Sequence, residues 1–171
     1  MSQELMLRSS VRVAVPIAAA ITLLSSGGCA SGGRPVDLAS VRAFANRYTA
    51  AWCSQDPSQV ASFFAENGSL TINAAPPSVG RAAITTAARG FMTAFPDIIV
   101  HMDAVEPQGA GFVYRWTLRG TYSGPGGTGN HVRISGYEEW IIGADGLISK
   151  SLGHFDEAEY KRQLEAAPTK Q

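Results

Sequence analysis

Four places in this sequence carry side chains able to move protons or hold charge. Glu138 stands two residues before Trp140 in the run HVRISGYEEWII, so in a strand the two share a face. A carboxylate pressed against an indole loses water, and lost hydration raises its pKa toward the range useful for acid–base work. The plain alternative is a solvated or ion-paired glutamate, because Glu139 beside it shows that this strand also has a wet face. His101 and Asp103 share a strand face in the same way, a spacing that suits a His–Asp pair or an outward, solvated surface. Arg115 and Arg119 lie on one face of the next strand; Arg115 can bind an acidic group, orient a carboxylate or close a structural ion pair. His154 ends the last strand-like run, and imidazole changes charge near neutral pH. Its alternative is a polar plug or a hydrogen bond at the start of the following helix.

Other side chains carry less chemistry. Tyr48 and Trp52 are one helical turn apart and can line a pocket or pack in a core. Trp116 and Trp140 are the aromatic candidates on the strands. The three histidines fall on separate strands without metal-ligand spacing, so no metal site is expected. The glycine-rich stretch SGPGGTG, residues 123–129, is not followed by a helix and reads as a hairpin connection rather than a phosphate loop. Cys53, beside Trp52 and with no base near it in sequence, reads as a small buried hydrophobe.

The elements that must position these groups follow from periodicity and punctuation. Asp37 is an N-cap for a helix ending near Ser54, with Val41, Phe44, Ala45, Tyr48, Ala51 and Trp52 at helical spacing. Asp56-Pro57-Ser58-Gln59 restarts a second helix, whose apolar face is Val60, Phe63 and Phe64. Residues 66–68 read as a turn, 69–72 as a short strand and 75–78 as a loop. A third helix runs from about Gly80 to Ala94, and Pro96 stops it because the residue before proline avoids the helical region.

Long strands follow. In residues 98–106, alternation puts Ile98, Val100, Met102 and Ala104 on one face and Ile99, His101, Asp103 and Val105 on the other. In residues 111–122, Phe112, Tyr114, Trp116 and Leu118 oppose Val113, Arg115, Thr117 and Arg119. In residues 131–142, Val132, Ile134, Gly136, Glu138, Trp140 and Ile142 share a side. Asp145-Gly146 marks a tight turn, residues 147–153 return as the last strand, and Asp156 with Glu159 caps a final helix through about Leu164. Helices gathered before an antiparallel run of strands indicate an α+β fold. Apolar residues on both strand faces call for helices on one face and a second cover or a partner subunit on the other.

Composition narrows the partners. With 171 residues, 14 basic and 14 acidic, and no basic patch, the chain has one domain's worth of core and no footprint for nucleic acid. Two cysteines, Cys29 and Cys53, cannot make a multi-bridge framework. The N-terminus reads as a targeting segment: Arg8 and Arg12 precede an apolar run over residues 13–24, too short to span a bilayer comfortably. Ser25-Ser26-Gly27-Gly28 and then Cys29 resemble a bacterial lipoprotein signal, which implies lipidation of Cys29 as the first mature residue. Ordinary secretion with cleavage nearby and an uncleaved anchor are the alternatives, and Met6 is a second possible start. The expected organisation is a signal peptide over 1–29, a tether over 30–36, a folded domain over 37–166 and a frayed tail over 167–171. The expected location is the bacterial cell envelope, on a membrane through the lipid on Cys29.

Gly80-Arg81-Ala82-Ala83-Ile84 is followed by Ala94-Phe95-Pro96-Asp97-Ile98, then by Arg115-Trp116-Thr117 with Gly120-Thr121-Tyr122-Ser123-Gly124, and by Thr128-Gly129. Asp145-Gly146-Leu147-Ile148, Phe155-Asp156 and Gln163-Leu164 close the series. In order and spacing these pieces, over most of the chain, resemble the SnoaL-like polyketide cyclase (ester cyclase) family of the nuclear transport factor 2-like superfamily. The resemblance implies a cone-shaped barrel: three N-terminal helices packed on a curved, mostly antiparallel sheet, with a short C-terminal helix. It also implies an apolar pocket, a homodimer joined through the sheet, and aldol-type proton transfer without metal or cofactor. The family's acid is expected on the last strand, where this chain has Gly153; His154 is the nearest titratable group.

Two functions are therefore carried forward. One is an exported enzyme that cyclises, isomerises or hydrolyses a small hydrophobic carbonyl compound, with His154, Glu138 and Arg115 as acid–base and orienting groups. Tyr48, Trp52, Trp116, Trp140 and His101 are its expected ligand contacts. The other is a ligand-binding or accessory lipoprotein that uses the same cone without catalysis.

Overall fold

In the computed structural model the structure describes residues 37–166. The signal peptide with lipidation at Cys29, the tether over 30–36 and the tail over 167–171 that the sequence leads one to expect lie outside the described residues. The order is α1 (Leu38–Cys53), α2 (Pro57–Ser62), β1 (Phe64–Ile72), β2 (Ser78–Val79), α3 (Arg81–Ala94), β3 (Ile99–Gln108), β4 (Gly111–Thr121), β5 (His131–Ile142), β6 (Ile148–Phe155) and α4 (Glu157–Glu165). The expected α+β class, with three helices before the long strands and one after them, is the observed one.

Three of the four helices, α1, α2 and α4, start where a side chain satisfies free N–H groups, whereas α3 starts at Gly80 without a side-chain cap. Asp37 accepts from Ser40 N at 3.0 Å, Asp56 from Ser58 N at 2.9 Å and Asp156 from Glu159 N at 2.9 Å. In α1 the buried residues are Val41, Phe44, Ala45, Tyr48, Ala51 and Trp52, one stripe at helical spacing. In α3 the buried stripe is Ile84, Ala88 and Met92, and the helix ends before Pro96.

The strands form a curved six-stranded sheet ordered β2-β1-β6-β5-β4-β3, antiparallel throughout except where β1 runs parallel to β6. The hairpins β3–β4–β5–β6 follow chain order, as local turns favour. One turn is Gly143–Leu147, closed by Gly143 N to Leu147 O at 2.8 Å, with Gly146 at φ 75. That positive φ is why glycine stands there. The helices cover one sheet face, and the core lies between: Tyr48, Phe64, Ile84, Phe95, Tyr114, Val132, Trp140 and Ile148 are all essentially inaccessible.

Four local expectations change. α2 ends at Ser62, so Phe64 opens a nine-residue β1 rather than extending the helix. The expected turn at residues 66–68 is an irregularity inside β1, where the β1–β6 register shifts between Phe64 and Ser69. Gly68 is needed there, since a Cβ would lie 2.7 Å from Ile148 O. Ser78–Val79 adds the short edge strand β2. In β3 a bulge at Asp103 breaks the alternation, so Val105 pairs with Tyr114 and is buried on the helix-covered face.

A buried carboxylate at an apolar pocket

The alternation in β4, β5 and β6 sends one set of side chains under the helices. Tyr114, Trp116 and Leu118 of β4 face the same way as Glu138 of β5 and Gly153 of β6. Trp52 from α1 and Phe91 from α3 close over them, with Leu70 and Ile72 of β1 and Phe155 of β6 completing the wall. The pocket is almost wholly apolar, with a cavity volume of about 50 Å³. That is roughly the space of three to five waters.

Glu138 is the charged group in this wall. It is 6% exposed, and among the described residues no ion pair includes it. Its neighbours all donate to it, and unequally. Oε2 accepts from Ser151 Oγ at 2.6 Å, Trp140 Nε1 at 2.8 Å and Tyr48 OH at 3.2 Å. Oε1 has only the shared Tyr48 hydroxyl, at 3.3 Å. Burial pushes the Glu138 pKa above its ordinary value; the Ser151, Trp140 and Tyr48 hydrogen bonds pull the other way without cancelling it. The result is an anchored carboxyl group with one lightly engaged oxygen, more basic than a surface glutamate.

The rest of the local polarity supports that group. Burial, followed by the charge of Glu138, keeps the Tyr48 phenol protonated far above its usual range. Tyr114 stacks on Trp140 with centroids 4.6 Å apart and shares a 2.7 Å hydrogen bond with Thr49 Oγ1. Trp116 Nε1 is the one buried side-chain polar atom with no hydrogen-bond partner among the described residues. Gly136, its register partner, leaves room for the indole: a Cβ there would fall 2.5 Å from Trp116 Cζ2.

The structure separates the residues grouped as acid–base candidates. Glu138 lines the pocket, but His154 and Arg115 sit on the opposite, outer face of the sheet. His154 pairs in register with Tyr137, stacks on its ring and lies 3.8 Å from Glu139. Arg115 is exposed, 3.6 Å from Glu106 and over the Tyr137 ring. Odd–even alternation explains this, because one residue step from Gly153 to His154 changes faces. Among the expected ligand contacts, Trp52 and Trp116 line the pocket, whereas Tyr48 and Trp140 stand behind the carboxylate as its donors. His101 is on the outer face opposite Thr117, and Asp103 is hydrogen-bonded to Thr117 Oγ1 at 2.7 Å rather than to it. Cys53 is exposed, not buried, and its sulfur accepts from Val100 N at 3.2 Å. Ser151 was not singled out from sequence. Its place two residues before Gly153 puts it on the pocket face, but only the β5–β6 register, which pairs it with Trp140, brings it to Glu138.

The sequence profile of the SnoaL-like polyketide cyclases matches residues 42–164. The chain belongs to this family. No curated protein matches the chain in sequence. Among solved structures, this SnoaL-like chain is similar to TsrD from Streptomyces laurentii, with 24% identity and a TM-score of 0.66 over 77% of this chain and 98% of TsrD. It is similar to a putative polyketide cyclase from Xanthomonas campestris pv. campestris, at 18% identity and TM-score 0.63 over 72% of this chain and 96% of the other. A hypothetical protein with a ketosteroid isomerase-like fold from Catenulispora acidiphila, solved with trimethylamine, gives 14% identity and TM-score 0.63 over 71% and 91%. At these identities the likeness establishes the fold. The SnoaL-like domain is thus a nuclear transport factor 2-like cone with its pocket between helices and sheet.

Proposed function

We propose that this chain binds a small hydrophobic carbonyl compound in the helix-covered pocket and moves a proton on it with Glu138. The observation that carries this reading is the environment of Glu138: a carboxylate with no cation in ion-pair distance among the described residues, made more basic by burial, at an apolar cavity. Three donors on Oε2 fix the group, and Oε1 is left to take a proton from an acidic carbon beside a carbonyl. Burial favours the neutral acid that results, which then returns the proton to a different atom of the same ligand. Such a shuttle isomerises or, where a second carbonyl is in reach, cyclises. The unpartnered Trp116 N–H supports a ligand carrying a carbonyl oxygen, since a buried donor left alone costs about 1–3 kcal/mol.

A ligand-binding role without catalysis is the second reading. Gly153 favours it: the strand position directly across from Glu138 has no side chain to serve as a second acid. Proton exchange separates the two. In D2O the chain is expected to speed exchange of the α-protons of 1-indanone, followed by NMR, and Glu138→Gln to lose the acceleration. Binding of 1-indanone without faster exchange replaces catalysis by simple binding, and no binding removes both readings.

Export and lipid attachment at Cys29 belong to the same proposal and put the pocket in the bacterial cell envelope. The mass of the mature N-terminus tests this. Pairing of two chains through the open sheet face is proposed too, supported by Ile141, 44% exposed on that face, and is tested by sedimentation.

A further inference from the structure

At the far end of the outer face from Ile141, basic side chains gather where β4, β5 and α4 meet. Arg119 of β4 and Arg133 of β5 are register partners, so their side chains leave one face of adjacent strands side by side. Like charges directly opposite each other destabilise a strand pair. Neither guanidinium has a carboxylate within ion-pair distance among the described residues. Together with His131, Asp97 and Gln163 they wall a surface cleft of about 370 Å³ that also contains the exposed Ile99.

The other polar groups of the cleft are already engaged. Asp97 Oδ1 accepts from Thr121 N and Oδ2 from Thr121 Oγ1, both at 2.7 Å. The same bonds hold its pKa below the ordinary carboxylate range, so it stays charged but committed to the end of β4. Gln163 Oε1 accepts from Arg133 N at 2.7 Å, and Gln163 Nε2 donates to Arg133 O at 2.9 Å. That clamp ties α4 to the backbone of β5 and sets where Arg133 leaves the strand. His131 Nδ1 lies 3.2 Å from Thr121 Oγ1. Two guanidiniums against one committed carboxylate leave the cleft with an excess of positive charge.

We propose that Arg119 and Arg133 form a binding site for a tetrahedral oxyanion, a phosphate group free or esterified. A bound dianion removes the Arg–Arg repulsion. A guanidinium binds oxygens two at a time, so two forks facing one ligand call for more acceptor atoms than a single carboxylate has. Ile99 gives the organic part of a phosphate ester an apolar neighbour.

The test is an amide chemical-shift titration of the purified chain with potassium phosphate at constant ionic strength, with potassium chloride as reference. Saturable shifts are expected in residues 119–121 and 131–133. Affinity should fall at least tenfold in Arg119→Gln/Arg133→Gln and less in Arg119→Lys/Arg133→Lys, which keeps the charge and loses the fork. Sedimentation with phosphatidylcholine vesicles, with and without phosphatidylglycerol, tells the source. Binding that needs both the anionic lipid and the two arginines assigns the phosphate to a lipid headgroup; phosphate shifts without such binding assign it to a soluble phosphate. Shifts matched by chloride, or unchanged in the Gln double variant, overturn the proposal. So does a double variant that dissociates a dimer while phosphate moves no local resonance, because the cleft is then a contact between chains.

Discussion

Glu138 and Glu139 are neighbours in one strand, yet they live in different solvents. Glu138 points under the helices, buried, accepting from Tyr48, Trp140 and Ser151, with no cation beside it among the described residues. Glu139 points outward, half-exposed, held by Gln108 Nε2 at 3.0 Å and facing His154 at 3.8 Å. On this part of the outer face a charge such as Arg115 finds an opposite charge in Glu106 and water screens the pair, so the contact is worth little. On the covered face a charge has only neutral dipoles for company, and its hydration is lost. Proton chemistry gains from the second environment and folding stability from neither. The pocket carboxylate is retained at an energetic cost that the outer pairs do not carry.

The largest test of that contrast is packing. Trp140→Ala empties the wall behind Glu138 and takes away a donor, at a cost of about 3–5 kcal/mol by urea unfolding. Tyr137→Ala, the same step on the outer face, should cost under ~1 kcal/mol, because the ring rests on half-exposed His154 and exposed Arg115. Equal losses would erase the distinction between the faces.

A finer test is pH. The folded pKa of Glu138 lies above its unfolded value, so between the two the unfolded chain binds fewer protons and wild-type stability falls as pH rises. Within that window Glu138 contributes a slope of up to about 1.4 kcal/mol per pH unit. Glu138→Gln should remove this component, leaving the variant more stable relative to wild type at pH 8 than at pH 4. An identical pH profile would mean the carboxylate is not desolvated. The smallest expected effect is His154→Ala, within about 1 kcal/mol of wild type by thermal unfolding, since its partner is a half-exposed glutamate. Indanone binding should be unchanged, and a lost pocket affinity would show that the two faces are coupled.

Much of this architecture could be read from residues alone, and the reasons are local. Asp37, Asp56 and Asp156 announce helix starts because a cap acts within a few residues of itself. The alternation in residues 131–142 placed Glu138 beside Trp140 correctly, since strand period is a property of one strand. What needed the structure was everything decided between strands. The bulge at Asp103 turns Val105 inward, and no periodicity predicts where an extra residue is accommodated. Alternation alone separates Gly153 from His154, but only the β5–β6 register shows that Gly153, across from Glu138, is the one on the pocket side and that His154, across from Tyr137, faces outward. Ser151 reaches Glu138 only through that same register, and Tyr48 only through the docking of α1 ninety residues away in sequence.

The placement of β6 has a further consequence. β6 is the last strand of the chain, inserted between β5 and the parallel strand β1, which lies far earlier in sequence. It supplies both Ser151 and the Gly153 backbone that lies against Glu138. While β6 is away, water reaches the carboxylate. The neutral acid loses little by having the strand in place, whereas the anion gains hydration when the strand leaves. Amide exchange at residues 151–153 should therefore report a lower opening free energy at pH 8 than at pH 5, beyond the intrinsic pH dependence of exchange. Protonation of one side chain would then set how often the pocket wall swings free, and with it how readily a ligand comes and goes.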